Sequence, residues 1–433
     1  MNKSGQSFPR LAYGGHVASS GRIALMPSET IPLEEHQSIF GSPEPYFYKY
    51  HHLVRQLSES DILGRGGGAF PLSRKIASYE PFGKNLIVVA NGSEGEFLSR
   101  KDEALLRRLP HLVLDGLSIL ATALDATKAY LHIDFSKEEL RHIVQAAIIA
   151  RRKIDPLTID VSTTMSGVGY VAGNESAVIS AINRQGGRPI YLPDRPIVRG
   201  VKKRPTMIVN VETLAQLALM ARFGSEWFSS VGEEGDTGTR LMTVSLPSGS
   251  STVIEIVVGT KFSEIVRAFG VSREQISCGL VGGYYGQLVD AEKLWLLRAS
   301  QPHLKAAGLS FGAGVLALAD GCPISLTAKI IGYLSGESAG QCGPCYLGLP
   351  ELFKVWQGVA EGRISSGSYL RIEELCEEIA GRGGCAMPDG AVMLSRMSLS
   401  RFNSEILSHQ GGRCSYAPGN EYLVPSGAVT ATR

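Results

Sequence analysis

Asn85-Leu86-Ile87-Val88-Val89-Ala90-Asn91, continued by Gly92-Ser93-Glu94-Gly95-Glu96, decides how the first half of this 433-residue chain is read. An apolar run between two asparagines reads as a short strand buried on both faces, the pattern of a parallel sheet. The small and acidic residues after it form a loop at the strand's C-terminal end, where open α/β sheets bind ligands. Working outward, Asp102–Leu124 is helical with Pro110 as a break. Lys128–Ile133 is a second strand, and Ser136 opens a helix in which Glu139 completes a capping box. Leu157–Val161 and Met207–Val211 read as further strands. The alternation predicts a layered α/β sheet with parallel pairs over residues 56–225.

The flanking regions differ. Residues 1–55 carry Pro9, Pro27, Pro32, Pro43 and Pro45 and read as an irregular arm wrapped over something else. Residues 240–310 are β-rich around the turn Pro247-Ser248-Gly249, with a short helix at Phe262–Phe269 and a strand at Cys278–Val281, a small β-grasp-like unit. Residues 323–410 carry helical periodicity at 323–335, 348–361, 368–380 and 389–408, enough for a bundle. Residues 411–433 form a Gly-rich tail.

Composition narrows the class. Lys plus Arg number 43 against 41 Asp plus Glu, a balance that gives no reason for a nucleic-acid or membrane-surface partner. No run of about 18 apolar residues exists, and Met1–Tyr13 has no signal-type apolar core, so direct membrane insertion is not expected. Seven cysteines, mostly in the last third, argue against a disulfide framework and for a reducing, cytoplasmic compartment.

Four motifs carry chemistry. Gly64-Arg65-Gly66-Gly67-Gly68-Ala69-Phe70-Pro71 can turn backbone N–H groups toward one anion, with Arg65 and Lys75 adding charge. It superficially matches a dinucleotide fingerprint, but a helix rather than a strand precedes it, and a plain structural loop is an equal reading. Asn91–Glu96 offers hydrogen bonds to a ring or ribose, or forms a polar turn. Gly169-Tyr170-Val171-Ala172-Gly173-Asn174-Glu175 leads into a helix at Ser176–Asn183, a second anion-site geometry. Val209-Asn210-Val211-Glu212-Thr213 again joins strand to helix. Near the C-terminus, Gly336-Glu337-Ser338-Ala339-Gly340-Gln341-Cys342-Gly343-Pro344-Cys345, with Cys385 forty positions on, is an iron–sulfur pattern whose first cysteine is Ala339.

In order and spacing these motifs resemble the NADH-binding flavoprotein subunit of respiratory complex I and its soluble NAD(P)H dehydrogenase and diaphorase relatives, from about residue 56 to about 405. The resemblance implies an FMN-binding sheet domain, a soluble-ligand-binding β-grasp domain and a helical bundle with a cluster. It implies FMN contacts at Gly64, Arg65, Gly67, Lys75, Asn91, Glu94, Tyr170, Gly173, Asn210 and Thr213. Phe70 matches an aromatic that stacks on the NADH adenine, and Glu96 and Glu175 match carboxylates lining the nicotinamide and ribose region. Cys342, Cys345 and Cys385 match three of four cluster ligands, leaving a [4Fe–4S] cube with another fourth ligand or a [3Fe–4S] cluster.

The departures are Ser93 and Asn174 in place of acids, Val209 in place of Asn, and Ser78 and Arg195 near positions of stacking phenylalanines. With the basic segment Arg199–Arg204 they predict a more positive dinucleotide site, suited to the extra phosphate of NADPH or to an acidic partner. Cys376 reads as a core thiol; Cys278, Cys322 and Cys414 are expected to have no role. The function implied is hydride transfer from NAD(P)H to FMN, then single electrons through the cluster to a ferredoxin or another redox subunit in a homo- or hetero-oligomer. The rivals are a non-catalytic assembly subunit and an FMN conduit that takes no electrons from NAD(P)H.

Overall fold

The computed structural model describes the chain except residues 1–9, 80–84, 135, 155, 158–159, 166–168, 191–193, 364–366, 418, 420–421 and 426–433. Its strands, in chain order, are β1 (Ile23–Leu25), β2 (Ile87–Gly92), β3 (Lys128–Ile133), β4 (Val161–Met165), β5 (Thr206–Asn210), β6 (Gly232–Glu233), β7 (Asp236–Thr237), β8 (Thr239–Ser245), β9 (Ser251–Val257), β10 (Cys278–Val281), β11 (Gln287–Asp290) and β12 (Val315–Ala319).

The first sheet is all parallel, in the order β4-β3-β2-β5. β2 lies inside it and Ile87–Ala90 are essentially solvent-free, which is why its sequence is a continuous apolar run. Helices Pro110–Ala123, Glu138–Ile154 and Val211–Phe223 contribute to the core that covers one face. Helix Glu175–Ile182 covers the other through Val178 and Ile179 on Ile87, Val89, Tyr130 and Ile208. The chain therefore steps β2-β3-β4 in one direction and returns to β5 on the far side of β2. That reversal opens a crevice at the C-terminal ends of β2 and β5, where Asn91 and Asn210 are direct register partners.

Asp115 ties this domain together. It accepts from His36 Nε2 at 2.7 Å and pairs with Arg151 and Arg222, each side chain from a different helix. Burial alone would raise its carboxyl; the Arg222 charge, the His36 hydrogen bond and the Arg151 charge outweigh burial and hold it well below the ordinary range.

The second sheet is mixed, in the order β1-β9-β8-β12-β10-β11, with only β8 and β12 parallel. It reaches beyond residues 240–310 at both ends of the chain. β12 joins from 315–319, and β1, from the segment expected to be irregular, pairs with β9 through Ile23 opposite Ile256. The arm also holds helices Leu33–Phe40 and Tyr50–Glu59. Its clasp is polar: buried Glu255 on β9 accepts from the N–H groups of Arg10 (2.8 Å) and Ala12 (2.9 Å) and from Thr239 Oγ1 (2.6 Å). The Arg10 guanidinium lies 3.8 Å from the Trp227 ring centroid.

The third region packs helices Pro323–Gly336, Leu349–Ala360, Ser368–Ile379, Met387–Arg401 and Asn403–Gln410 around fully buried Trp356, whose Nε1 donates to Ser395 Oγ at 3.0 Å. Gly332 permits the close crossing of the first two, since a Cβ there would sit 2.7 Å from the Phe353 ring. Two local expectations shift. Helix Glu138–Ile154 starts after Ser136, whose N–H and hydroxyl turn onto Asp134 Oδ1 instead of forming a capping box. The expected strand Leu157–Val161 includes residues 158–159, outside the described residues, and β4 begins at Val161. Likewise 191–193, in the segment Pro189–Arg199 that carries Arg195, lie outside them.

Candidate functional site

Glycines let four loops meet at the β2/β5 crevice. Gly64 N–H donates to Phe70 O (2.9 Å) and Arg65 N–H to Thr213 Oγ1 (2.8 Å), so the first loop folds back beneath helix Val211–Phe223. Within it Gly67 takes a φ of 105°, and a Cβ on Gly66 would come 3.1 Å from Asn210 Cβ. Asn210 Oδ1 caps its helix by accepting from Glu212 N–H (3.0 Å), and Nδ2 donates to Asp102 (2.7 Å). Asn91 Nδ2 donates to Gly173 O (3.0 Å). A Cβ on Gly95 would fall 1.9 Å from Tyr170 O, and one on Gly173 would fall 2.8 Å from Ser93 O. Gly64, Gly67, Asn91, Gly173, Asn210 and Thr213 thus surround one crevice. Its lining fits a flavin mononucleotide: Gly68 faces open space, and the Ser93 hydroxyl is buried with no partner.

Several expected contacts are engaged elsewhere. The Arg65 guanidinium is buried against Asp236 (3.0 Å) and Thr237 O (3.1 Å), so its charge is not free for a phosphate. Glu94 serves the start of helix Lys101–Arg108, accepting from Asp102 N–H, Glu103 N–H and Ser99 Oγ. Carboxylates are stabilised at a helix N-terminus, which explains the choice. Glu96 is not on an open nicotinamide-facing wall. It is buried between Tyr170 Oη (2.7 Å), Tyr284 N–H (2.7 Å) and Leu98 N–H (3.2 Å). Burial pushes its carboxyl upward, and those three donors oppose the shift. Tyr170 accordingly points to Glu96, stacks on Tyr284 at 5.9 Å, and gives its N–H to Glu337 at 3.1 Å.

At the crevice mouth Lys75 Nζ donates to Ile208 O (2.6 Å) and meets the exposed Glu175 carboxylate at 3.3 Å. Phe70 is 54% exposed there, large for a phenylalanine and accessible to a stacking ring. Beneath lies a charge group that sequence reasoning missed: buried Lys101 pairs with Asp102 (2.6 Å) and Glu212 (2.9 Å). Burial raises Asp102 to about 7, against the pull of Lys101. The only signal was Lys-Asp opening the helix Lys101–Arg108.

The departures have local reasons. Asn174 is the N-cap of helix Glu175–Ile182, its Oδ1 accepting from Ser176 N–H at 3.0 Å. Val209 is buried in β5. The basic segment Arg199–Arg204 is a correction: it lies at the opposite end of the sheet. Arg204 donates to Asn85 O (3.0 Å) and pairs with Thr127, both at strand starts, and the length of β5 separates it from Asn210 by about 20 Å. Its charge therefore says nothing about an NADPH phosphate.

Cys342, Cys345 and Cys385 converge beside a π-helical turn, Pro344–Gly348. Burial opposes ionisation of Cys342, but N–H donors from Gly384 and Cys345 outweigh it and lower that thiol. Cys345, with burial dominant, is pushed up to about 12. Sulfurs ringed by N–H donors suit bound thiolates, and the donor set fits an iron–sulfur cluster held at three corners, with Ala339 where a fourth would be. Cys376 is fully buried in the bundle core. Tyr285 bridges the two sites, edge-on to Tyr170 at 5.0 Å and beside Cys385 and Cys345.

Residues 57–219 match the family model described as the Nuo51 FMN-binding domain, and residues 325–409 that of the NADH-ubiquinone oxidoreductase-F iron-sulfur binding region. The second NADH-quinone oxidoreductase F subunit of Rhizobium meliloti (strain 1021) is 30% identical over 386 residues, 85% of this chain and 91% of that protein. The chain belongs to the family of NADH-quinone oxidoreductase F subunits. Another member, from Mycobacterium tuberculosis (strain ATCC 25618 / H37Rv), is 27% identical over 98% of this chain and 95% of its own. Among solved structures, an NAD+-reducing [NiFe]-hydrogenase in the H2-reduced state superposes with a TM-score of 0.77 at 23% identity over 88% of this chain. The chain spans 65% of that hydrogenase chain, and the likeness is one of fold. Among the described residues no helix is long and apolar enough to cross a membrane.

Proposed function

We propose that this F-family chain is the electron-input module of a larger redox assembly: it takes hydride from NADH and passes single electrons to a partner subunit or a ferredoxin. Bound FMN supplies the conversion from an electron pair to single electrons, and the iron–sulfur cluster carries them one at a time. The observation that carries this reading is the contact between crevice and cysteines: Tyr170, from the Gly173 loop, holds Glu337 of the cysteine loop.

In this reading backbone N–H groups of the Gly64–Gly68 loop and Lys75 hold the FMN phosphate. Asn91, Gly173, Asn210 and Thr213 form the walls; Arg65, Glu94 and Tyr170 position those walls without supplying side-chain charge. Phe70 stacks on the adenine of NADH, with Glu175 at the rim. NADH is favoured over NADPH because the relatives are named for it and Arg199–Arg204 is remote. Cys342, Cys345 and Cys385 hold a cluster open at one corner. Seven free thiols support a cytoplasmic setting.

One observation favours the second reading, an F-family member that does not oxidise NAD(P)H. Glu96 is withdrawn into the tyrosine group instead of facing the crevice. An anaerobic visible spectrum of flavin-loaded protein decides between them. Bleaching by NADH, and more slowly by NADPH, is expected; a flavin band untouched by either would reject the dehydrogenase reading.

A further inference from the structure

Cys322, Glu405, His409 and Cys414 each bring one ligand atom to a common point, all four within 4.8 Å of one another. We propose that they bind one structural zinc ion, at a site distinct from the cluster cysteines. It would give a role to Cys322 and Cys414, for which none was expected.

Three separate elements build the site. Cys322 precedes helix Pro323–Gly336, just after β12. Glu405 and His409 stand one turn apart on Asn403–Gln410, so both project from one face. Cys414 follows in the tail. The first three are buried and Cys414 is exposed, which leaves a route of entry.

The spacing fits a tetrahedron. Cys322 Sγ lies 3.4 Å from His409 Nε2, and that nitrogen lies 3.2 Å from Glu405 Oε1. A zinc with Zn–S of about 2.3 Å and Zn–N of about 2.0 Å needs donor–donor edges of roughly 3.5 Å. His409 is oriented as a ligand would be. Its Nδ1 faces the carbonyls of Ala360 (3.0 Å) and Val359 (3.2 Å), which only accept, so Nδ1 carries the proton and Nε2 presents its lone pair to the group. Backbone N–H groups support the other donors: Ser415 N–H donates to Glu405 Oε1 at 2.9 Å, and Tyr416 N–H to the Cys414 sulfur.

Donor chemistry selects the metal. Two thiolates and an imidazole reject calcium and magnesium and suit zinc, and four protein donors leave no open position for catalysis. Binding closes the bundle, fastening the tail and last helix to the entrance of the first.

The test uses the full chain with its flavin and iron retained, thiols reduced, after dialysis against a mild chelator. Elemental analysis should find about one zinc per chain, as four-coordinate structural sites hold. His409→Gln and Cys414→Ser should each lose most of it while iron and flavin contents stay unchanged. Cobalt(II) titrated into metal-stripped wild type should give the intense visible bands of tetrahedral thiolate coordination, a readout independent of how the variants fold. Stripping zinc should lower the melting temperature of wild type more than that of Cys414→Ser. Zinc lost on dialysis with no tetrahedral cobalt spectrum would overturn the proposal. So would metal content indifferent to both substitutions, or a Cys322–Cys414 disulfide whose reduction brings no metal uptake.

Discussion

Gly68 is the sharpest residue-scale probe of the crevice. A Cβ there meets no protein atom within 4 Å, so Gly68→Ala should keep stability within about 0.5 kcal/mol of wild type. If the FMN phosphate sits against that loop, the same methyl group should weaken FMN at least tenfold in a fluorescence titration of the flavin-free protein. Unchanged affinity would move the phosphate elsewhere. Ala339 is the matching probe of the cluster. Three thiols leave one corner to solvent or a weak ligand, and such a corner loses iron to oxygen. Ala339→Cys should slow iron loss in air several-fold, followed by iron analysis and low-temperature electron paramagnetic resonance on anaerobic protein. Equal loss rates in both proteins would mean position 339 does not face the cluster. Both probes start from residues whose type was readable directly. Glu96 was not: nothing in Gly95-Glu96 announces that Tyr284, 188 residues away, supplies a buried N–H to its carboxylate.

Elements were legible where burial imposes a pattern. β2 and β5 hold continuous apolar runs and β3 is apolar apart from Lys128 and His132, because both faces are covered, and the helices carry their apolar stripes. β4 beyond Val161 was not foreseen, because Ser162, Thr163 and Thr164 form a half-exposed edge strand with no such run. Arg199–Arg204 was misjudged for a different reason. Charge is visible in sequence, but which end of a strand it sits at is not. The zinc donors are scattered over a helix start, a helix face and the tail, a spacing that matches no local motif. Strand β3 carries a pH-dependent contribution that can be tested. His132 is fully buried, with Nδ1 against Thr164 Oγ1 at 2.9 Å, and burial lowers it to about 4. The folded state thus refuses a proton that the unfolded chain accepts below about 6.5. Its contribution is complete above that pH and is lost as pH falls toward 4, at about 1.4 kcal/mol per unit. His132→Gln should therefore shrink the stability gap to wild type on acidification from pH 6.5 to 4.5, read from urea midpoints. A gap constant with pH would show that His132 protonates equally in both states.

At the scale of the whole molecule, the N-terminal segment closes the second sheet. Removing residues 1–27 would strip β1 from β9 and take the backbone N–H donors of Arg10, Leu11 and Ala12 from buried Glu255, whose carboxyl burial already pushes upward. An open strand edge invites pairing with another chain. The shortened protein should melt several degrees lower and scatter light on concentration, yet still take up FMN, because its crevice lies on the other sheet. Loss of FMN binding at temperatures where the shortened chain is folded would show that the two sheets do not hold their sites independently.

The same strand pairing also sets a timetable. β1 leaves the ribosome about 230 residues before β9 exists. At roughly 5–20 residues per second, that is a wait of about 10–45 seconds. Through that interval Ile23–Leu25 has only its local pairing with Val17 and its neighbours, while the first sheet domain is being made. Translation speed across residues 30–250, and whatever shields the waiting segment, therefore bear on how much protein reaches its final form. Swapping codons in that stretch would alter the yield of soluble product without changing one amino acid.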